Sequence, residues 1–231
     1  MTRRAARRAR QVPLRTHWFV LTVLLVCLSG ALLLNGYTQH LFGVWGEALP
    51  PGPSAEVPPA ITSGGPVIDA GAAGVRTARP KPRTIAITFD DGPDPVWTPQ
   101  VLDLLRRENV KATFFVVGTE VAAHPELARR IAAEGHELGI HTFTHANLSA
   151  VPGWRRSLEL RQSQLILAGA AGVTTPLLRP PYSSEANATG DADWSAIKQT
   201  RAAGYLTVLS TQDSEDWRRP GAAQVIANSI P

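Results

Sequence analysis

The chain is poor in cysteine: among its 231 residues only Cys27 carries a thiol, and it lies inside an apolar run. A disulfide framework needs paired cysteines and a thiolate metal site needs several, so the sequence excludes both. Cys27 also lacks the position of a lipid-modified cysteine, which would follow the apolar run. Any metal or catalytic centre therefore has to come from other side chains.

Acidic residues are scarce at the amino end. Residues 1–16 hold six arginines and no acid, and residues 1–83 hold ten Lys or Arg against three Asp or Glu, a net +7. Residues 84–231 hold thirteen against sixteen, a net −3. The high isoelectric point therefore belongs to one end of the chain and does not indicate nucleic-acid binding.

An uncharged run of seventeen residues, 18–34, follows the arginines. Its length is at the lower limit for a helix that spans a bilayer, and no small-x-small cleavage pattern follows Leu34. An uncleaved signal anchor over residues 17–36 is favoured over a cleaved signal peptide. The positive-inside rule then keeps residues 1–16 in the cytoplasm and places the rest of the chain outside, at the cell membrane.

Proline, glycine and small residues dominate the next segment, with eight prolines between residues 49 and 83. No apolar periodicity is evident there, and this composition is typical of an extended spacer rather than of a packed core. The sequence therefore predicts an extracytoplasmic linker over residues 37–83 and a folded domain over residues 84–231.

Strand and helix patterns alternate from Thr84 onward. Leu158, Leu165 and Ile166 are expected to face inward from one of the helices. This alternation is typical of an α/β fold whose loops after the strands carry the chemistry. The predicted strands cover residues 84–87, 111–117, 136–140, 177–178 and 205–209, and the predicted helices begin near Thr98 and cover residues 125–133, 154–167 and 191–203.

Two adjacent carboxylates, Asp90 and Asp91, follow the first predicted strand. In an extended backbone neighbouring side chains diverge, so one carboxylate can bind a metal while the other stays free as a base. Gly92 and Pro93 then turn the chain. Because Asp-Asp-Gly-Pro is also a common turn, this pair alone does not establish a site.

His141 and His145 supply a second metal-ligand signal, after another predicted strand. Imidazole and carboxylate groups are ligands of zinc and other divalent first-row metals, and three protein ligands with one open position make a site catalytic rather than structural. The two segments together predict a metal-dependent hydrolase. His124 begins a helix and His136 opens a strand, so both are assigned to structure.

Four motifs between residues 88 and 217 resemble those of NodB-homology polysaccharide deacetylases, which form carbohydrate esterase family four. The resemblance implies a distorted (β/α) barrel. The family's fifth motif, an apolar strand that ends in His, is not matched before Pro231, so we expect the sequence to be interrupted before it. The matched motifs are Thr-Phe-Asp-Asp-Gly-Pro at 88–93, His-Thr-Phe-Thr-His at 141–145, Arg-Pro-Pro-Tyr at 179–182 and Asp-Ser-Glu-Asp-Trp at 213–217.

The resemblance also implies a role for each matched residue. Asp90 would be the general base, and Arg179 would hold it by a bidentate ion pair, with a surface salt bridge as the alternative for Arg179. The backbone N–H of Tyr182 would complete an oxyanion hole. A divalent metal, Zn²⁺ above all but with Co²⁺ or another first-row metal as alternatives, would be bound by Asp91, His141 and His145.

The fourth motif is expected to serve the general acid. Asp216 would orient the histidine of the fifth motif, although Asp213 is an alternative that the sequence leaves open. Trp217 would wall the sugar groove together with Pro181, and ordinary core packing is the alternative for Trp217.

The implied activity is removal of N-acetyl groups from N-acetylhexosamine units of peptidoglycan or a chitin-like polysaccharide. O-deacetylation of an acetylated glycan and a catalytically silent, membrane-anchored carbohydrate-binding module are the alternatives. The expected partners are thus a polysaccharide and the membrane, without nucleic acid. Membrane-anchored proteins that resemble this chain sometimes continue into a family-two glycosyltransferase, which is an expectation for a longer chain.

Overall fold

A computed structural model describes residues 21–30, 57–71, 73–182, 185–186 and 189–230, and the chain divides into one unit over residues 1–50 and another over residues 51–231. In the first unit, residues 21–30 form helix α1. None of the helices in these described ranges combines the length and the apolar character that crossing a membrane requires. The remainder of the predicted anchor, with the basic segment before it and the linker up to residue 56, lies outside the described residues.

The predicted linker is folded over residues 57–78. This stretch forms helix α2 (Pro59–Ser63) and an antiparallel hairpin of strands β1 (Val67–Gly71) and β2 (Gly74–Ala78). Ile61 and Ile68 are almost fully buried, in a cluster with Trp194, Ile197 and Leu209. The folded unit therefore includes residues well before 84, because apolar partners distant in sequence cover these short elements.

A seven-stranded mixed sheet forms the centre of this unit, in the order β2-β1-β7-β6-β5-β4-β3. Strands β3 to β7 run parallel to one another, and β1 pairs antiparallel with β2 and with β7. The α/β class is thus confirmed, but β2 and β3 are the two edges of the sheet, so its described strands do not close into a barrel. The parallel strands are β3 (Thr88–Asp90), β4 (Thr113–Val116), β5 (Glu137–Ile140), β6 (Leu177–Leu178) and β7 (Leu206–Val208).

The helices follow the predicted alternation closely, and one, α5, begins and ends where the sequence predicts. The first strand does not: residues 84–87 lie outside the sheet and the strand begins at Thr88, because pairing with β4 starts there. Ile85 is consequently 73% exposed. The helices are α3 (Trp97–Arg107), α4 (Gly118–Ala123), α5 (Pro125–Ala133), α6 (Gly153–Ala171), α7 (Asp191–Ala202) and α8 (Ala222–Ser229), with a 3₁₀ turn at Asp216–Arg218.

Helix α6 buries a different face from the predicted one. Leu158 and Leu165 are 46% and 73% exposed, so the prediction that they face inward is wrong. The buried face carries polar as well as apolar side chains, and for this reason apolar periodicity misplaced it. Its buried residues are Arg156, Glu159, Leu160, Ser163, Leu167 and Ala170.

The main core lies between the parallel strands and helices α3, α5 and α6. Its sheet side includes Phe114, Val116, Ile140 and Leu178, each at most 4% exposed. Because the strands are parallel, the loops after β3, β5, β6 and β7 emerge at one edge of the sheet. All four sequence motifs lie at the ends of these strands or in the loops that follow them.

His136 lies at the opposite end of β5, as its structural assignment predicts. Its ring is buried and packs edge-on against Phe114, and its Nδ1 accepts a hydrogen bond from the backbone N–H of Ala112 at 3.3 Å. Within the described residues its Nε2 has no hydrogen-bond partner. Burial, assisted by the charge of Lys111, lowers the pKa of His136 below its ordinary value.

We expect acid to weaken the fold through His136. As the pH falls through the ordinary histidine pKa of about 6.5, the unfolded chain takes up a proton that the buried ring resists. Stability contributed by the neutral ring is therefore lost below that pH, down to the lowered folded pKa. A His136→Asn variant keeps an acceptor for Ala112 but does not titrate. Thermal unfolding between pH 7.5 and 5.5 should show a smaller loss of Tm for the variant than for the wild type, and equal losses would contradict the assignment.

Candidate metal centre and active site

The two adjacent carboxylates diverge at the end of β3. Asp90 is the last residue of the strand, and Asp91 takes a left-handed backbone conformation with φ of 68°. The Asp90 side chain is 29% exposed and contacts Arg179, whereas the Asp91 side chain is 70% exposed and faces two histidines. The divergence that the sequence predicts from extended backbone is thus produced by a turn at Asp91.

The loop after β5 brings His141 and His145 to Asp91. Oδ1 of Asp91 lies 3.4 Å from Nε2 of His141 and 3.1 Å from Nε2 of His145. Nδ1 of His141 is 2.7 Å from the carbonyl oxygen of Arg179, and because a carbonyl only accepts, this nitrogen carries the hydrogen. Nδ1 of His145 is 3.2 Å from the Tyr182 hydroxyl. Because the hydrogen of the neutral His141 ring is on Nδ1, the lone pair of its Nε2 is directed at Asp91.

These three side chains fit a divalent first-row metal. One ligand atom from each lies within 4.8 Å of the others. Ligands about 2.0–2.2 Å from a tetrahedral zinc are about 3.3–3.5 Å apart, close to the contacts seen here. Burial lowers the pKa of His141 below its ordinary value, against the opposing effects of Asp90 and Asp91, and so keeps the imidazole neutral for coordination.

Arg179 joins three strands beneath the site. Its Nη1 donates to Asp90 Oδ1 at 2.8 Å and to Thr88 Oγ1 at 2.7 Å, and its Nε donates to the carbonyl of Val208 at 3.1 Å. The guanidinium lies 4.3 Å from the ring centroid of Phe115. The arginine side chain is only 4% exposed, so the alternative of a surface salt bridge is wrong.

Tyr182 stands at the mouth of the cluster. Its φ is 64°, and its side chain is 68% exposed. The ring meets the ring of His145 edge-on at 4.9 Å, while Pro181 beside it is buried. The predicted oxyanion role of the Tyr182 N–H and the predicted contact of Pro181 with sugar stay predictions.

The fourth motif forms a loop of its own after β7. Asp213 is half-buried and accepts from the backbone N–H of Glu215 at 2.8 Å, and the exposed Asp216 accepts from the Ser214 hydroxyl at 2.8 Å. Trp217 is 68% exposed, which contradicts the core-packing alternative. Because the hydrogen bonds described for both aspartates stay within this loop, the choice between them stays open.

Comparison with known proteins assigns the chain to a family. The family model for polysaccharide deacetylases matches residues 77–207, more than half of the chain. The chain belongs to the polysaccharide deacetylase family. The match spans the first three motifs, β3 to β6 and the first two residues of β7, so the candidate metal cluster and the Asp90–Arg179 pair lie within the family domain.

Relatives share this domain. A chitooligosaccharide deacetylase of Bradyrhizobium sp. is 39% identical over 149 residues, covering 64% of this chain and 65% of that protein. A peptidoglycan-N-acetylglucosamine deacetylase of Bacillus cereus is 41% identical over 157 residues, covering 64% and 67%. The peptidoglycan deacetylase PdaC from Bacillus subtilis superposes with a TM-score of 0.55 at 32% identity, covering 63% and 67%. The chain thus spans about a third to two thirds of the length of the curated relatives it matches.

Glu159 lies outside the four motifs, and the sequence did not predict a role for it. This buried α6 carboxylate bonds to the backbone of the loop between the two histidines. A signal was present, because Glu159 lies one helical turn after Arg156 and before Ser163, on the face that α6 buries. A charged residue on a buried helix face needs a partner, and here the partner is the metal-site loop of this deacetylase domain.

We expect the paired replacement His141→Ala and His145→Ala to abolish metal binding, since it removes two of three protein ligands. Each single replacement should weaken affinity more than about 100-fold, beyond the 10–100-fold typical of outer-shell changes. Metal content by elemental analysis measures this. His124→Ala is the matched control, because His124 is not part of the cluster. Its Nδ1 lies 3.7 Å from Oε1 of Glu126. Unchanged metal content in the double variant would refute the site.

Proposed function

We propose that this chain is a metal-dependent hydrolase that removes N-acetyl groups from N-acetylhexosamine units of a cell-wall or extracellular polysaccharide, peptidoglycan or chitin-like. The observation that carries the proposal is the division of labour between adjacent carboxylates. Asp91 faces two imidazole nitrogens at 3.1 and 3.4 Å, while Asp90 is held apart by Arg179 at 2.8 Å. Metal-dependent hydrolysis needs a set of metal ligands and a separate base, and this arrangement provides both.

The proposed mechanism assigns proton movement to Asp90. Its Oδ1 is occupied by Arg179, which leaves the half-exposed carboxylate able to take a proton from an attacking water. Asp91, His141 and His145 would hold a divalent metal, which would supply Lewis acidity to a water molecule and to the acetyl carbonyl. The backbone N–H of Tyr182 would stabilise the oxyanion; Tyr182 has a φ of 64°, and its ring meets the ring of His145.

The donor set supports zinc as the resident metal. Two imidazole nitrogens and one carboxylate oxygen suit zinc, and cobalt takes the same ligands. For the general acid, we propose that Asp216 orients a histidine and that the exposed Trp217 walls the sugar groove.

The relatives support an amide rather than an ester substrate. One is named for chitooligosaccharides and another for peptidoglycan N-acetylglucosamine, and both names concern N-acetyl sugars. The presence of every predicted base, ligand and arginine argues against a silent binding module. For location, the arginine block before the uncharged run supports an anchored protein with residues 37–231 outside the cytoplasm.

We expect Asp90→Asn to lower acetate release by about 10²–10⁴-fold, the usual contribution of a general base. The amide keeps an acceptor for Arg179, so metal binding should be retained. Acetate release is measured from N-acetylglucosamine oligomers and from an O-acetylated xylan, with the 231 residues and with any longer chain that contains them. Activity on the xylan alone would favour the O-deacetylase, and a wild-type rate for the variant would remove Asp90 from the mechanism.

We expect a reporter fused after residue 56 to lie outside the cytoplasm, since six arginines precede the uncharged run. Alkaline phosphatase, which is active outside, should be active there, and a cytoplasmic reporter at the same position should be silent. Neutralising the six arginines in the phosphatase fusion should reduce its activity. A reporter that works only in the cytoplasm would overturn the proposed location.

A further inference from the structure

The loop between the two histidines has a strained backbone. Thr142 and His145 both have positive φ, 66° and 57°, although neither is glycine. A left-handed conformation is a genuine outlier for a β-branched residue such as Thr142 and persists only where surrounding contacts determine it. The positions of both histidine rings therefore depend on what holds this loop.

Helix α4 holds the carbonyl groups of the loop. The N–H groups of Gly118 and Thr119 donate to the carbonyls of Thr142 and Phe143 at 3.0 and 2.9 Å. The approach is so close that a Cβ on Gly118 would lie 2.3 Å from the Phe143 ring. These bonds use only the carbonyl groups of the loop, and its N–H groups bind a different partner.

Helix α6 supplies that partner through Glu159. Its Oε2 accepts from the backbone N–H groups of Phe143 and Thr144 at 2.9 and 2.8 Å, and its Oε1 accepts from the Thr144 hydroxyl at 2.7 Å. Arg155 lies 3.6 Å from Oε1. The Glu159 side chain is only 5% exposed, and a buried carboxylate of this kind is stable only when its oxygens are bonded.

We propose that Glu159 is a positioning residue for the metal centre, an inference that rests on the proposed function. Its carboxylate fixes two successive peptide groups between the histidines, and Thr144 directly precedes His145. Without it, the same two peptides keep only the bonds from their carbonyls to α4, so the loop is less constrained and the position of His145 Nε2, 3.1 Å from Asp91 Oδ1, is less well fixed. Glu159 touches neither metal nor substrate, and it acts through the loop.

Co²⁺ titration of the full chain, followed by visible absorption, tests the proposal because the spectrum reports affinity and ligand geometry together. Glu159→Leu should raise the Kd for Co²⁺ at least about tenfold, as loss of an outer-shell partner does, and should change the spectrum. Glu159→Gln should lose less, because its amide oxygen still accepts from both backbone N–H groups. Leu167→Ala, fully buried on the same helix but away from the loop, is the control for general destabilisation.

The outcomes are distinguishable. A wild-type chain that does not bind Co²⁺ would refute the proposed metal function itself. The positioning role alone would be overturned if the wild-type chain binds Co²⁺ and a folded Glu159→Leu variant binds it equally well. The same holds if Glu159→Leu loses no more affinity for Co²⁺ than Leu167→Ala loses. If Glu159→Leu does not fold, the Glu159→Gln and Thr144→Val variants test the proposal instead. A Kd for Co²⁺ raised about threefold, as one lost hydrogen bond gives, supports the proposal. An unchanged Kd in both variants overturns it.

Discussion

The site depends on the interactions that the buried guanidinium of Arg179 makes. The guanidinium bonds Asp90 at the end of β3, bonds Val208 of β7 and lies over Phe115 of β4, while the Arg179 carbonyl sets the tautomer of His141. One residue therefore fixes both the proposed base, Asp90, and a candidate metal ligand, His141. Because the guanidinium is buried while Asp90 is partly exposed, loss of Asp90 would leave a buried charge with fewer partners, which is destabilising. The Asp90 carboxylate is thus positioned by contacts from several strands of the sheet rather than by its own loop.

This arrangement explains how two adjacent aspartates take different roles. The left-handed turn at Asp91 separates the two carboxylates, so each contacts different side chains. Asp90 meets a fixed cation that belongs to the protein, whereas Asp91 meets imidazoles with a lone pair to share. Burial lowers the pKa of His141, which favours the neutral imidazole that metal coordination requires. The separation of roles follows from the backbone.

The site was easier to predict from sequence than the boundaries of the fold. Asp90, Asp91, His141, His145 and Arg179 come together because parallel strands end at one edge, a rule that needs only the order of the elements. The structure differs where a local pattern is misleading. Residues 57–78 look like a spacer because the partners that cover Ile61 and Ile68 lie more than 120 residues further along the chain. On α6, buried polar residues interrupt the apolar periodicity, so the sequence predicted that leucines which are in fact exposed face inward.

The strained positions show why motifs identify this site while periodicity does not. Asp91, Thr142, His145 and Tyr182 all have positive φ, and all four lie at the cluster. Each such conformation costs on the order of 1–3 kcal/mol, so none is chosen by local preference. The sequence must offset that cost elsewhere, through buried groups such as Glu159 and Arg179 whose own desolvation is relieved by bonding the site. The helix that carries Glu159 accordingly lacks a clean apolar stripe. Irregular backbone at the site and irregular patterning in the helix that supports it are therefore two consequences of one constraint.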